Sequence, residues 1–217
     1  GPGGYEVHAE SADGRTHTRL SLDGRATSEA DRLTLHTRAL SLDLGDGDPW
    51  AGDLDLTLRA GRSVQIDPLH LTRGDQSVTA RGTYRFQGPD DFDVTAREFD
   101  LGQLERLAPQ TLAGLDGTVD AHLVVSGDVD THPQGELTAT IRDGRIRGLR
   151  QVDGGVRLRL LGETLETDVR LDLGDNGELR ASGPVQLTPA AMRDPSRLVD
   201  EADLGALRVE ARDLDIG

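Results

Sequence analysis

"VRLRL" (residues 156–160) and "VRLDL" (residues 169–173) decide the fold. In each, an apolar residue alternates with a charged one. A period of two places Val156, Leu158 and Leu160 on one face and Arg157 and Arg159 on the other, the pattern of a half-buried strand. The alternation recurs in "LDLTL" (54–58), "VDAHLVV" (119–125), "LTATI" (137–141) and "LRVEA" (207–211). The wet faces carry Arg, Asp, Glu, Thr and His, so opposite charges can pair across strands for about 0.2–1 kcal/mol each.

Turn residues punctuate the chain. Asp-Gly occurs at Asp13-Gly14, Asp23-Gly24, Asp46-Gly47, Asp116-Gly117, Asp143-Gly144 and Asp153-Gly154, and Asn-Gly at Asn176-Gly177. Such pairs supply the positive φ of tight hairpin turns, so they are expected to join the strands of an antiparallel meander. Helix is scarce. "DLGQLERLAP" (100–109) can make about two turns, with Asp100 as N-cap, Gln103 at the capping-box position and Pro109 as terminator. "TPAAMRDPSRLVDEADLG" (188–205) is a second helical candidate, because Thr188-Pro189 and Asp194-Pro195 are cap-then-Pro starts.

Composition narrows the function classes. The formal charge is −15 over 217 residues, and every basic side chain other than His is Arg. An acidic chain is repelled by nucleic acid and by anionic membrane surfaces, so no nucleic-acid partner is expected. There is no cysteine, which rules out disulfides and thiolate zinc sites. Six aromatic residues (one Trp, two Tyr, three Phe) are few for a thick ring-filled core. No apolar stretch approaches the ~20 residues of a membrane span. "GPGG" (1–4) reads as a protease-cleavage scar, and the chain reads as a segment of a longer protein.

An internal repeat organises the rest. Asp13, Asp23 and Asp46 match Asp143, Asp153 and Asn176 at one constant offset. "VTARGTYRF" (78–86) then matches "LRASGPVQL" (179–187), and "VTAREFDLG" (94–102) matches "VEARDLDIG" (209–217). The changes of offset mean that the second unit lacks about one hairpin and regains residues in the 188–205 insert. We therefore expect one continuous repeat segment over 5–217, with units at about 5–134 and 135–217. Both copies of the last motif break their alternation. One extra residue, at Arg97-Glu98 and at Arg212-Asp213, is a β-bulge that bends the strand. A weaker slip lies at Arg38-Ala39 in "LTLHTRALSL" (33–42).

A sheet with one apolar face must cover it. A sandwich or barrel would call for large aromatics inside, so the expected architecture is all-β: an elongated antiparallel meander curled into an open hydrophobic groove, with short helical inserts. The stretches "LHLTRGDQSVTARGTYRF", "FDLGQLERLAP" and "LAGLDGTVDAHLVVSGDVDTHPQGEL", together with Trp50 in "DGDPWAGDLDL", resemble the TamB family within the AsmA-like group of bridge-like lipid-transfer proteins. The resemblance covers most of residues 5–187 and departs at the 188–205 insert.

It implies a β-taco fold, a periplasmic segment of a protein anchored in the bacterial inner membrane, and conduction of phospholipids between the two membranes. It also implies a BamA- or TamA-like outer-membrane barrel as partner and a role in assembling outer-membrane proteins. The alternative function is a scaffold that templates strands of autotransporter-type clients at its edges.

No catalytic or metal constellation stands out. The histidines 8, 17, 36, 70, 122 and 132 lack ligand spacing, and His36, His70 and His122 alternate with apolar residues and so face water. The acidic run "DLGDGDPWAGDLD" (43–55) lacks the spacing and terminal Glu of a calcium loop. The chain is expected to be no enzyme, to need no cofactor and to hold no metal. The groove lining is expected to include Leu54, Leu56, Leu58, Tyr84, Phe86, Val94, Leu123, Val125, Ile141, Leu158, Leu160, Leu171, Leu173 and Leu187. Their role is passive, a low-dielectric wall for acyl chains at about 0.8 kcal/mol per buried CH₂.

Overall fold

The computed structural model describes residues 3–13, 18–45, 47–103, 114–128, 132–146, 149–188 and 204–213. They form β1 (Gly3–Asp13), β2 (Thr18–Glu29), β3 (Arg32–Asp43), β4 (Trp50–Arg59), β5 (Ser63–Arg73), β6 (Gln76–Arg85), β7 (Asp90–Asp100), β8 (Leu115–Asp128), β9 (His132–Ile146), β10 (Leu149–Leu161), β11 (Thr164–Asp172), β12 (Glu178–Gln186) and β13 (Arg208–Arg212). All 13 strands belong to one sheet in strictly sequential order. The fold is therefore all-β, an antiparallel meander that stays open and does not close into a barrel. The two runs that open the sequence argument pair as β10 and β11, with Val156 opposite Val169 and Leu160 opposite Leu165.

The strands stand where alternation places them, but most turns do not stand at the Asp-Gly pairs. Asp23-Gly24, Asp116-Gly117, Asp143-Gly144 and Asp153-Gly154 lie inside β2, β8, β9 and β10. Their glycines serve close approach of the neighbouring backbone. At Gly154 (φ 154°) a Cβ would sit 2.1 Å from the Arg170 carbonyl oxygen, and at Gly117 (φ 116°) 2.7 Å from the Gly144 Cα. Glycine inside a strand marks a tight bend, and an Asp beside it supplies a side-chain acceptor there. Actual hairpin turns fall at Ala30-Asp31, Ala60–Arg62, Gly74-Asp75 and Gly162-Glu163. Asn176-Gly177 is a turn as expected, entered by a 3-10 turn at Gly174–Asn176. Gly14 and Asp46 lie outside the described residues.

The parity slips at Arg97-Glu98 and Arg38-Ala39 are bulges, while the residues beyond Asp213 lie outside the described residues. Ala96 pairs with Ala121 and Phe99 with Val119, so Arg97 and Glu98 together oppose Asp120 alone. At the weaker slip, Asp23 pairs with Ala39 and Gly24 with Thr37, which leaves Arg38 as the extra residue. In the later motif β13 ends at Arg212, and Asp213 (φ 51°) takes the backbone conformation of Glu98 (φ 49°). The ladders match as well: Ser77 faces Arg97, and Glu178 faces Arg212. A further slip lies at Asp67-Pro68 in β5, between the pairs Leu56–Ile66 and Leu54–Leu69.

Bulged N–H groups need acceptors, because the ladder cannot serve them. Glu98 N–H donates to Asp120 Oδ1 at 2.8 Å, and Asp143 N–H (φ 51° at Asp143) donates to Asp153 Oδ1 at 2.8 Å. Thr37, buried in β3, accepts from Leu54 N–H on its Oγ1 at 2.6 Å. One neighbouring side chain thus holds each bend in place.

Helical hydrogen bonding begins at Gly102 and Gln103. Asp100 caps this start as expected, its Oδ1 accepting from Gly102 N–H at 2.8 Å. Gln103 does not act as a capping-box residue: its side chain is committed to Trp50 and Gln76. The remainder of that helix, and residues 189–203 of the second candidate, lie outside the described residues.

Candidate functional site

Residues opposite one another in the ladders share a face, so the pairings trace the apolar surface directly. One row begins at Ala9 and passes through Leu22, Leu40, Gly52, Leu71 and Val78. It continues through Ala96, Ala121 and Ala139 to Val156, Val169, Ala181 and Val209. It crosses all 13 strands without a polar residue. A second row runs from Tyr5 through Leu35, Leu56 and Ile66 to Phe92 and Val125, and on through Leu160 to Val185.

The residues expected to line a groove fall on this face. Leu54, Val94, Leu123 and Leu158 lie in a third row between the first two. Leu56, Val125 and Leu160 belong to the second row. Leu58 and Tyr84 both oppose Val64, and Phe86 lies just past the end of β6 with its ring edge-to-face on Tyr84 at 5.6 Å. Ile141 and Leu171 both oppose Gly154. Leu173 and Leu187 follow β11 and β12 and are buried.

Most of this face is half-buried. A closed core removes such residues from water, whereas Tyr84 is 46% exposed and Phe86 49%. The face is closed toward one end of the strands, where β3 and β7 finish and β4, β6 and β8 begin, and again at the opposite end of β12, where Val185 and Leu187 are buried beside the turn between β10 and β11. Leu40, Leu44, Leu101 and Val119 are buried at the first of these ends. Trp50, 3% exposed, stacks on Phe99 with centroids 5.7 Å apart and donates from Nε1 to Gln103 Oε1 at 3.0 Å. Gln103, 1% exposed, donates from Nε2 to Gln76 Oε1 at 2.9 Å, and the same oxygen accepts from Asp100 N–H at 3.2 Å. A buried amide needs such partners, and this pair satisfies the indole as well. Trp50 and Phe99 carry periodicity signals in the sequence, but nothing local couples either to Gln76 or Gln103.

The opposite face is charged and paired across strands. Asp93 accepts from Arg81 at 2.9 Å and meets His122 at 3.0 Å, and both hold its carboxyl below the ordinary carboxylate range, Arg81 foremost. Asp120 is likewise lowered, first by the Glu98 backbone N–H and then by Arg142 at 2.7 Å. His36 and His70 are exposed, facing Asp55 and Asp53 on either side of β4. Among the described residues no group of three or more His, Asp or Glu is gathered as a metal site. A depression between His122, Gln134, Glu136 and Arg159 opens on this charged face. Its walls are already partnered, Glu136 with Arg157 and Arg159 with Glu166, so we give it no role.

What the arrangement offers chemically is a wide apolar floor backed by a charged outer surface, sealed along part of one strand end and beside Leu187 at the other. Comparison with protein-family models, with curated proteins and with solved structures found no match for the chain.

Proposed function

We propose that the chain is a segment of a TamB-like envelope protein whose apolar sheet face conducts phospholipids between the inner and outer membranes. The observation that carries this reading is the apolar row from Ala9 to Val209, continuous over 13 strands and largely open. At about 4.8 Å per strand the row is roughly 58 Å long, too long for one small ligand and suited to a file of acyl chains. Burial of each CH₂ contributes about 0.8 kcal/mol, so binding needs no polar pocket and no catalysis. In this reading the segment lies in the periplasm, the complete protein is anchored in the inner membrane, and an outer-membrane barrel of the BamA or TamA type receives the cargo.

The test is lipid retention. Purified protein is extracted and its bound lipid measured by mass spectrometry, for the native chain and for Leu158→Glu and Leu171→Glu. Native protein is expected to carry phospholipid and both variants to lose it with circular dichroism unchanged. Equal lipid in all three proteins would falsify the groove assignment.

One observation favours a second reading. The rows run off both sheet edges onto exposed apolar residues, Tyr5 on β1 and Val209 on β13, beside backbone that no described strand pairs. Such an edge can template a client strand by β-augmentation, which is the scaffold reading. Photo-crosslinkers at Leu123 and at Tyr5 separate the two: lipid adducts at Leu123 support conduction, polypeptide adducts at Tyr5 support templating.

A further inference from the structure

β13 repeats β7 in sequence and in register. Its "VEAR" (209–212) stands where "VTAR" (94–97) stands in β7. The ladders behind the two strands agree: Ala80 faces Val94 as Ala181 faces Val209, and Val78 faces Ala96 as Leu179 faces Ala211. Each run then passes into a residue of left-handed backbone, Glu98 (φ 49°) and Asp213 (φ 51°). Two strands with the same side-chain order, backing and bend offer the same edge to a neighbour.

The edge of β7 is taken. β8 runs antiparallel along it, with Leu123 opposite Val94 and Ala121 opposite Ala96. Asp120 stands alone against the bulge, and its Oδ1 accepts from Glu98 N–H at 2.8 Å. No described strand lies on the corresponding edge of β13. Val94 is half-buried, whereas its counterpart Val209 is 59% exposed. On the charged face Asp93 of β7 reaches across to His122 of β8 at 3.0 Å. Glu210 of β13 instead meets Arg208 and Arg212 of its own strand, at 2.7 and 3.9 Å.

A strand with the β8 pattern matches this edge at every position. In the β7–β8 register, Leu123 falls opposite Val209, His122 opposite Glu210 and Ala121 opposite Ala211. Asp120 then falls beside Arg212 and the Asp213 N–H, a carboxylate against a guanidinium and a bulged donor. The β1 edge of a second copy does not fit. With 13 antiparallel strands, β1 and β13 run in the same direction. A second copy that kept its apolar face on the same side would therefore bring β1 to β13 in parallel. We infer that the β13 edge is a docking site for one extended polypeptide strand, antiparallel to β13, with a carboxylate at the bulge and apolar residues opposite Ala211 and Val209. The inference rests on the templating reading, to which it adds the edge, the direction and the register, and it does not depend on lipid conduction.

The peptide of residues 115–128 serves as the test strand, and the absence of cysteine from the chain allows its register to be trapped as a disulfide. Val209→Cys protein is mixed with peptide carrying either Leu123→Cys or Val119→Cys in a thiol–disulfide buffer, and adducts are counted by mass spectrometry. Leu123→Cys is expected to give about tenfold more adduct, because a disulfide closes only between Cβ atoms roughly 3.5–4.5 Å apart. The native chain is titrated with fluorescein-labelled peptide and followed by anisotropy. Asp120→Leu in the peptide is expected to weaken binding about tenfold, the loss of one charge-assisted hydrogen bond. Equal trapping at the two peptide positions, binding without trapping at Val209, or an affinity unmoved by Asp120→Leu overturns the docking site while templating elsewhere on the sheet stands. Val209→Cys homodimers that excess peptide does not displace assign the edge to a second copy and overturn the inference. Absence of any anisotropy change with the native chain overturns both the docking site and the templating reading.

Discussion

Two aromatic pairs sit at opposite ends of the strands in opposite circumstances. Trp50 and Phe99 stack under cover, and the indole N–H is satisfied by a buried glutamine. Tyr84 and Phe86 meet edge to face in the open, about 26 Å away along β6 from Gln76. The residue class is the same, yet the first pair closes the sheet face and the second leaves it available. What separates them is the chain that follows β7: Leu101 and Gln103 are buried at the sealed end, and no described residue plays that part beside Tyr84. Covering an apolar sheet face thus depends on which turn carries extra chain, not on the strands themselves.

The sharpest way to break this contrast is to truncate one ring at each end. Trp50→Ala removes a fully packed side chain and strands Gln103, so urea denaturation should show a loss of about 3–5 kcal/mol. Tyr84→Ala should cost less, about 1 kcal/mol in the same assay, because nearly half of the residue is in water already. Comparable losses at both ends would erase the distinction.

Glycines offer a second pairing. Gly154→Ala, near the sealed end, combines a left-handed φ with a Cβ 2.1 Å from a carbonyl oxygen. It should lose about 2–4 kcal/mol. Gly162→Ala, in the open turn between β10 and β11, has a positive φ of 61° but nothing within 4 Å, and should lose about 1 kcal/mol. Thermal melts of the two variants measure the gap.

A smaller effect is expected from Gln103→Leu, which leaves Trp50 Nε1 without its acceptor. The cost of one buried unpaired donor is about 1–3 kcal/mol, read by denaturant titration. The fluorescence of Trp50 should shift in the same variant, while a probe attached at Tyr84→Cys stays unchanged.

The smallest effect is electrostatic and lies outside both ends. Asp120 is held below the ordinary carboxylate range by the Glu98 N–H and Arg142. A carboxyl whose folded pKa is depressed contributes stability above its ordinary value, near 3.9, and loses that contribution as pH falls through the folded value. Its side chain is 38% exposed, so solvent screening keeps the contribution under about 1 kcal/mol. Asp120→Asn should therefore narrow the stability difference between pH 7 and pH 2.5 only slightly, by melts at the two pH values. A large drop at pH 7 would mean that the bulge, not the charge, depends on this side chain.

Much of the sheet was legible in the residues because its signal is local. Alternation identified the strands, and the slips at Arg97-Glu98 and Arg38-Ala39 were visible as changes of parity. The slip at Asp67-Pro68 was equally visible, in the step from Ile66 to Leu69, and was missed. The turns were misread for a physical reason. Asp-Gly supplies both a positive φ and a side-chain acceptor, and a hairpin and an in-strand bend use the same two properties. The Trp50–Gln103–Gln76 cluster was illegible, since it joins three separate stretches through polar groups that no periodicity marks.

The strictly sequential strand order has a consequence for how the molecule is made. Every strand finds its partner among its immediate neighbours in the chain, so the contacts are short in sequence and few long loops must be closed before pairing is rewarded. Assembly can proceed as hairpin after hairpin emerges, each new strand docking on the edge left by the last. The cost is that every intermediate ends in an unpaired edge carrying part of an apolar row, the kind of surface on which partly made chains associate.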